Sequence, residues 1–453
     1  MAIIEFFYDI QCPWAYIASR KIKLVAQRTN ATVKYTPVLL GGIYQAVNAP
    51  QGKDGSATDV MSPAKKRLTS ASLARTVDTY KLPLNFHPNH PVRTVNALRL
   101  LHAVDQTYRP QLTDALYHEY WVKNSDISSE QTLLEIVKSL NFPFKVSPSV
   151  FQDAKYQNAL RDQTSRVVEL GAPGVPYFQV RKDENDKNGP VFWGQDRTMF
   201  VEASFLALQS GLDPLDWEKT PNLASILESR VKQPMPNVAK GRKLTFYFDF
   251  SSPWAYIGFT QLWRFKALGC EIEYVPVVVG PLFQAVGTPA IPLNAMSESK
   301  RRCLLEDMSN WTRFWRAIMK QAGHDARKVD ETIQVNWPDN FPIRSIAALR
   351  IAQLNPAIID CVYKAAWVDN INLSDKAVLI KLLNDNGFDG ETLAKEADAN
   401  KGNVKERMFE NNKRAIQAGC CGVPSYQIDG GEVLFGQDQY HVIEDSLTAS
   451  AKL

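Results

Sequence analysis

Apolar and aromatic residues run almost unbroken through positions 3–8 (Ile-Ile-Glu-Phe-Phe-Tyr) and again through 244–248 (Leu-Thr-Phe-Tyr-Phe). Short runs of this kind predict strands. Each is soon followed by a proline, Pro13 or Pro253, whose fixed φ and missing N–H suit the first turn of a helix. In the helix after Pro13, Trp14, Ala18, Ile22 and Val25 recur on one face, which predicts a core-facing stripe. A second strand is expected to end near Pro37 and Pro276. The period then becomes helical, with helices predicted at 90–104, 112–122 and 130–140 in the first half. Strand signals resume at Val175-Pro176. A hairpin is marked in the second half by Asp429-Gly430-Gly431, and a last helix closes each half.

The pattern is written twice. Asp9-Ile10-Gln11-Cys12-Pro13-Trp14-Ala15-Tyr16 returns as Asp249-Phe250-Ser251-Ser252-Pro253-Trp254-Ala255-Tyr256. Tyr35-Thr36-Pro37-Val38, Gln45-Ala46-Val47 and Ala97-Leu98-Arg99 return in the same order as Tyr274-Val275-Pro276-Val277, Gln284-Ala285-Val286 and Ala348-Leu349-Arg350. Late in each half, Gly174-Val175-Pro176 pairs with Gly422-Val423-Pro424, and Gly194-Gln195-Asp196 with Gly436-Gln437-Asp438. Six matches in one order mean an internal duplication. Pro214, Pro221, Pro234, Pro236 and Gly241 punctuate the stretch between, whose helical candidate is short, 222–232. The expected division is a first domain at 1–222, a linker at 223–242 and a second domain at 243–453. The fold class is α/β, each copy a β-α-β unit, a helical insertion and a late β-hairpin with a closing helix.

Composition narrows the function. The chain is 45% hydrophobic and 22% charged, with a formal net charge of +4 over 453 residues, which fits globular domains and offers no dense basic groove for nucleic acid. No run approaches the length that spans a bilayer, and the first residues read directly as a strand, so no membrane or secretory role is expected. The six cysteines, Cys12, Cys270, Cys303, Cys361, Cys420 and Cys421, form no Cys-x-x-Cys pair; a reducing compartment fits best. The six histidines are scattered and no metal is expected. Ala451-Lys452-Leu453 differs from the Ser-Lys-Leu peroxisomal address by one residue. It reads as a targeting tail to the peroxisome, against a cytoplasmic protein with an ordinary frayed end.

Cys12 and Ser252 stand immediately before a helix, where unpaired N–H groups and aligned peptide dipoles favour negative charge. Cys12 at such a place is expected to have a lowered pKa and to be a thiolate itself. Ser252 stays a neutral hydroxyl and donates to a thiolate brought by another molecule. Taken alone, a helix cap for Ser252 and a small buried hydrophobe for Cys12 are the commoner roles. The late Val-Pro changes this. A cis proline starting a strand would turn the backbone of Val175 or Val423 toward the turn, where it could pair with an extended peptide.

Asp-x-x-[Ser/Cys]-Pro-Trp-Ala-Tyr near the start, Gly-Val-Pro, and Phe192-Trp193-Gly194-Gln195-Asp196-Arg197 resemble kappa-class glutathione transferases and the 2-hydroxychromene-2-carboxylate isomerases. The resemblance covers both copies nearly end to end. It implies a thioredoxin fold with a helical insertion, related to the DsbA-type oxidases, and glutathione as cosubstrate. It further implies that Ser252, and Cys12 in its place, stabilise the glutathione thiolate. Val175 with Pro176 and Val423 with Pro424 would hold the cysteinyl backbone, and Asp196 and Asp438, beside Gln195 and Gln437, would take the γ-glutamyl ammonium. The family's asparagine and lysine look like Asn48 and Lys65 in the first copy and Lys300 in the second. The second copy departs, with Thr288 near the asparagine position and Gln439 where the first has Arg197.

The expected activity is a glutathione transferase or glutathione-dependent isomerase acting on a small apolar electrophile. The two copies would form a pseudo-dimer within the chain, and the chain itself is a possible homodimer. Two other readings stay open, a monothiol disulfide or peroxide oxidoreductase using Cys12, and a non-catalytic glutathione- or partner-binding module. A DsbA-like oxidase is disfavoured because Cys12-Pro13-Trp14-Ala15 lacks the second cysteine that would resolve a mixed disulfide.

Overall fold

The structure is a computed structural model that describes residues 1–52, 55–229, 231 and 235–449. Two four-stranded sheets carry the architecture. In the first, β1 (Ile3–Tyr8), β2 (Thr32–Pro37), β3 (Tyr177–Arg181) and β4 (Val191–Trp193) lie in the order β2-β1-β3-β4. β1 and β2 are parallel, with Ile3 opposite Thr32 and Tyr8 opposite Pro37. β3 runs antiparallel to β1, and β4 antiparallel to β3. β5 (Lys243–Phe248), β6 (Glu271–Pro276), β7 (Ser425–Ile428) and β8 (Leu434–Phe435) repeat this topology in the order β6-β5-β7-β8.

Every residue of β1 is buried, which suits its nearly continuous apolar run. Phe6 stacks on Phe178 across the sheet at 5.3 Å and meets Tyr35 edge-on at 5.6 Å. The one charge in this strand, Glu5, is fully buried and paired. Arg166 and Arg181 donate to its carboxylate at 2.7 and 2.9 Å, and Thr36 at 2.7 Å. Burial pulls its pKa upward, but the Arg166 guanidinium and the Thr36 hydroxyl, with the charge of Lys34, hold it below the ordinary value.

The helices start where the prolines predict, at Pro13–Thr29 and Pro253–Thr260. The insertion differs at its edges from the sequence pattern. The helix expected at 90–104 is confined to Val95–Ala103, beyond Pro91, which lacks an N–H and disfavours helix in the residue before it. The helix expected from 112 starts earlier, at Arg109, with Pro110 in its first turn. The third spans Glu130–Ser139, its first turn capped by the Ser129 hydroxyl. Between the copies the 222–232 candidate is only a 3-10 turn at Leu223–Ile226, opened by Asn222 in the left-handed region; Lys232 lies outside the described residues, as does Ala451-Lys452-Leu453. Ala18, Ile22 and Val25 are buried as expected, whereas Trp14 is only half-buried because it sits in the exposed first turn.

The chain forms two compact units that do not follow chain order throughout. Residues 1–61, 70–221 and 296–307 make the first, and 62–69, 222–295 and 308–453 the second. Two short segments therefore lie with the other copy's sheet. Among the described residues, no helix is long and apolar enough to cross a membrane.

Candidate active site

At the end of β1 the chain turns through Asp9 to Cys12 before the helix begins, and the same turn follows β5. Each is held by three buried groups. Asp9 is fully buried, and its carboxylate accepts from the backbone N–H of Gln11 at 3.3 Å and of Leu40 at 2.9 Å. Asp249 accepts from Ser251 N–H at 3.0 Å, Val279 N–H at 2.9 Å and the Ser345 hydroxyl. Each carboxylate so ties the reactive turn to the start of the helix that follows the second strand. Trp121 and Trp367, fully buried, donate their indole N–H to the carbonyls of Ile10 and Phe250 at 2.9 and 2.8 Å. Tyr117 and Tyr363 donate to the carbonyls of Asp9 and Asp249. The two tryptophans stand at matching places in the duplication, and that recurrence is the signal in the sequence for this role.

Beside each turn stands the late Val-Pro, and both peptide bonds, Val175–Pro176 and Val423–Pro424, are cis. The Cys12 thiol donates to the Val175 carbonyl at 3.3 Å, and the Ser252 hydroxyl donates to the Val423 carbonyl at 3.2 Å. Cysteine or serine, valine and proline therefore meet in both units in one arrangement. Ser252 also caps its helix, accepting from Ala255 N–H at 3.2 Å.

The charge state of Cys12 is the reverse of the sequence expectation. Burial pushes its thiol up to about 12, and the Asp9 carboxyl adds to this, while the N–H groups of Ala15 and Trp14 pull down and do not compensate. A rise from 9.0 to about 12 corresponds to roughly 4 kcal/mol, more than the 0.3–1 kcal/mol, up to about 2, that a helix terminus supplies. Cys12 is a neutral thiol at pH 7, and both turns present a neutral donor.

The remaining expected residues divide. Asp196 and Asp438 follow Gly194 and Gly436, whose φ of 110° and 108° are left to glycine. A Cβ on either glycine would lie 2.5 or 2.6 Å from the aspartate Oδ1, so the glycine lets the carboxylate fold back over the backbone. Asp196 pairs with Arg197 at 2.9 Å, and Asp438 accepts from Gln439. Gln195 and Gln437 turn inward, their side-chain oxygens accepting from Lys21 at 3.0 Å and Trp315 at 3.4 Å. Asn48 is exposed and takes a left-handed φ of 50° after the Leu40–Ala46 helix. Its counterpart by the repeat is Gly287, also left-handed, so this position has a conformational requirement that asparagine and glycine both meet. Thr288 is buried and its hydroxyl has no hydrogen-bond partner. The lysines fall crosswise. Lys65 belongs to the unit of Ser252, not of Cys12, and Lys300 to the unit of Cys12.

One feature escaped sequence reasoning because it depends on packing around a glycine. A Cβ on Gly174 would lie 3.6 Å from Trp193 Nε1 and 3.7 Å from Tyr44; on Gly422 it would meet Phe435 at 3.1 Å and Phe283 at 3.4 Å. An aromatic pair flanks the approach to each Val-Pro. Among the described residues, no group of three or more His, Cys, Asp and Glu is placed to hold a metal ion.

A parallel β-α-β unit joined to an antiparallel hairpin, with helices inserted between and a cis proline opposite the first helix, is a thioredoxin-like domain, here present twice. The chain belongs to the DSBA-like thioredoxin domain family, whose model matches residues 3–205 and 243–448. Among curated proteins it is similar to glutathione S-transferase kappa 1 of Caenorhabditis elegans, 25% identical over 205 residues, 43% of this chain and 86% of the relative. It is also similar to 2-hydroxychromene-2-carboxylate isomerase of Sphingobium xenophagum, 25% identical over 203 residues, 45% of this chain and 97% of the relative. A solved structure of a 2-hydroxychromene-2-carboxylate isomerase aligns with a TM-score of 0.38 and 19% identity, covering 46% of this chain and 98% of the other.

Proposed function

We propose that the chain is a glutathione-dependent transferase or isomerase in which Ser252, and more weakly Cys12, hold the glutathione sulfur as a thiolate. The observation that carries this reading is the parked donor. In each unit a neutral S–H or O–H at a helix N-terminus donates to the carbonyl that precedes a cis proline. An extended peptide pairing with Val175 or Val423 offers its own N–H to that carbonyl. The displaced donor then turns to the sulfur, which gains a hydrogen bond and the field of the helix terminus while its proton leaves to solvent.

In a transferase the sulfur lone pair forms the S–C bond while the leaving group departs to solvent with its bonding pair; in an isomerase the sulfur adds to a conjugated double bond, the bond beside it rotates, and the C–S pair returns to the sulfur as the double bond re-forms. Asp196 and Asp438, part-exposed and folded back over their glycines, would take the γ-glutamyl ammonium, as the resemblance implies. An O–H is a stronger donor than an S–H, so the Ser252 centre is the better activator. The redox alternative needs Cys12 as a nucleophile, and burial together with a thiol pushed up to about 12 argues against it. That the similar proteins are a transferase and an isomerase favours the proposed reading over a non-catalytic module. The test is the ultraviolet thiolate absorbance of glutathione bound to the full chain at pH 7, for the wild type and for the Cys12→Ala/Ser252→Ala double variant. Thiolate signal in the first and its loss in the second are expected; equal signal in both rejects the proposal.

A further inference from the structure

In the Cys12 unit two ring donors close on one point beside the reactive turn. A Cβ on Gly174 would lie 3.6 Å from Trp193 Nε1 and 3.7 Å from Tyr44 Cε1, and Gly174 directly precedes Val175, whose carbonyl holds the Cys12 thiol at 3.3 Å. The backbone fixes both rings there. Trp193 ends β4 opposite Tyr177, and the next residue, Gly194, donates its N–H to the Pro176 carbonyl at 3.0 Å. Tyr44 stands on the Leu40–Ala46 helix, whose first N–H is tied to the Asp9 carboxylate at 2.9 Å.

Neither donor is spent. Trp193 is 37% exposed, and among the described residues no acceptor lies within hydrogen-bond reach of its indole N–H. Tyr44 is half-buried; Gln51 donates to its phenol oxygen, which leaves its own O–H to donate elsewhere. Burial, then the neighbouring Cys12 and Asp9, push the Tyr44 phenol up against the pull of Gln51, so the proton stays on at neutral pH.

The duplication supplies the contrast. In the Ser252 unit Phe283 and Phe435 stand before Gln284 and Gly436, as Tyr44 and Trp193 stand before Gln45 and Gly194. Their rings flank the place of a Cβ on Gly422 at 3.4 and 3.1 Å, and Gly436 N–H donates to the Pro424 carbonyl at 3.0 Å. The rings are placed alike, and these two carry no donor. Cys12 and Ser252 differ the other way, the weaker sulfur donor standing beside the two ring donors.

We infer that the two centres divide electrophiles, and that Trp193 and Tyr44 make the Cys12 centre a site for conjugated carbonyl compounds, the two donors binding the carbonyl oxygen. The inference rests on the proposed function, because it takes glutathione as the nucleophile. The sulfur lone pair forms the S–C bond at the β-carbon, the double-bond pair moves between the α-carbon and the carbonyl carbon, and the carbonyl π pair goes to oxygen. That oxyanion accepts from Trp193 Nε1–H and Tyr44 Oη–H; both hydrogen bonds strengthen as the charge develops, and neither proton is transferred. The α-carbon then takes a proton from solvent. An electrophile whose charge departs on a halide gains nothing from the pair, and the phenylalanine-flanked Ser252 centre suits it.

Full-length variants with one centre disabled test this, Ser252→Ala leaving the Cys12 centre and Cys12→Ala the Ser252 centre. The probes are benzylideneacetone, a conjugated ketone, and benzyl chloride, and the readout is the ratio of their kcat/KM values with glutathione. In the Ser252→Ala background Tyr44→Phe and Trp193→Phe, which keep a ring in place, should each lower the ratio of ketone to chloride about tenfold or more. In the Cys12→Ala background Phe283→Tyr should raise it about threefold or more, a gain that loss of folding does not produce. Benzylideneacetone left unreacted by the Cys12 centre, equal losses on both probes, or a ratio that the ring substitutions leave unchanged overturns the inference alone. Absence of glutathione thiolate in the wild type removes the proposed function and the inference with it.

Discussion

Ser252→Gly in a Cys12→Ala background isolates one hydrogen bond and gives its energy a direct reading. Glycine at a helix N-cap costs only a few tenths of a kcal/mol relative to serine, whereas alanine costs about 0.5–2, so the glycine variant keeps the Pro253–Thr260 helix. What it removes is the hydroxyl that donates to the Val423 carbonyl at 3.2 Å and that would turn to the bound sulfur. A hydrogen bond to a charged group contributes about 1.5–3 kcal/mol. At 1.36 kcal/mol per pKa unit, the pKa of the bound glutathione thiol should therefore rise by roughly 1–2. The helix terminus remains and contributes about 0.3–1 kcal/mol, so the pKa should stay below that of free glutathione. The assay is thiolate absorbance of the saturated complex against pH, with kcat/KM for an aromatic electrophile measured beside it. For a bound thiol that titrates near pH 7, that rise lowers the thiolate fraction and kcat/KM at pH 7 by roughly five- to fiftyfold, with the glutathione dissociation constant changed far less. A bound thiol pKa that moves by less than about 0.3 would refute the assignment of Ser252 as the donor.

The other expectations are narrower. Cys12, pushed up to about 12 by burial, should resist iodoacetamide at pH 7 in the folded chain and react only as pH climbs toward that value; rapid modification at neutral pH, tracked by peptide mass, contradicts the neutral thiol. Glu5→Gln removes the partner of Arg166 and Arg181 and should cost about 3 kcal/mol in urea unfolding. Because the Glu5 pKa lies below its ordinary 4.5 when folded, its contribution is complete above about pH 4.5 and fades as pH falls through the lowered value; the variant should lose this acid-dependent part of the stability curve. Gly194→Ala and Gly436→Ala force an alanine to a φ near 110° and displace the aspartate that lies 2.5–2.6 Å away. Each should cost about 1–3 kcal/mol and weaken glutathione binding by calorimetry. Trp121→Phe and Trp367→Phe leave a buried carbonyl unpaired, at about 1–3 kcal/mol each in urea unfolding.

The scaffold was largely legible because it rests on local signals. The apolar run at Ile3–Tyr8, the prolines at 13 and 253, and the repeated Gly-Val-Pro each encode a strand, a helix start or a strand start without reference to distant residues. Duplication then doubled every signal. The site was legible in part. The approach of Cys12 to Val175 and of Ser252 to Val423 followed from the order of motifs, but the protonation of Cys12 did not, since it is decided by packing that excludes water rather than by the helix terminus. Lys65 and Lys300 show a different limit. Each stands in its own copy well after the reactive turn, and nothing local to either string marks the exchange that assigns each to the other unit. Gln195 reads as a ligand from its place beside Asp196, yet its side chain faces the buried ammonium of Lys21.

The most direct measurement is a crystal structure of the full chain with glutathione. The account predicts the cysteinyl backbone paired with Val175 or Val423, and the sulfur within hydrogen-bond reach of Cys12 Sγ or Ser252 Oγ, those groups having left their carbonyls. A tripeptide bound with its sulfur away from both residues, or neither centre occupied at saturating glutathione, would contradict it.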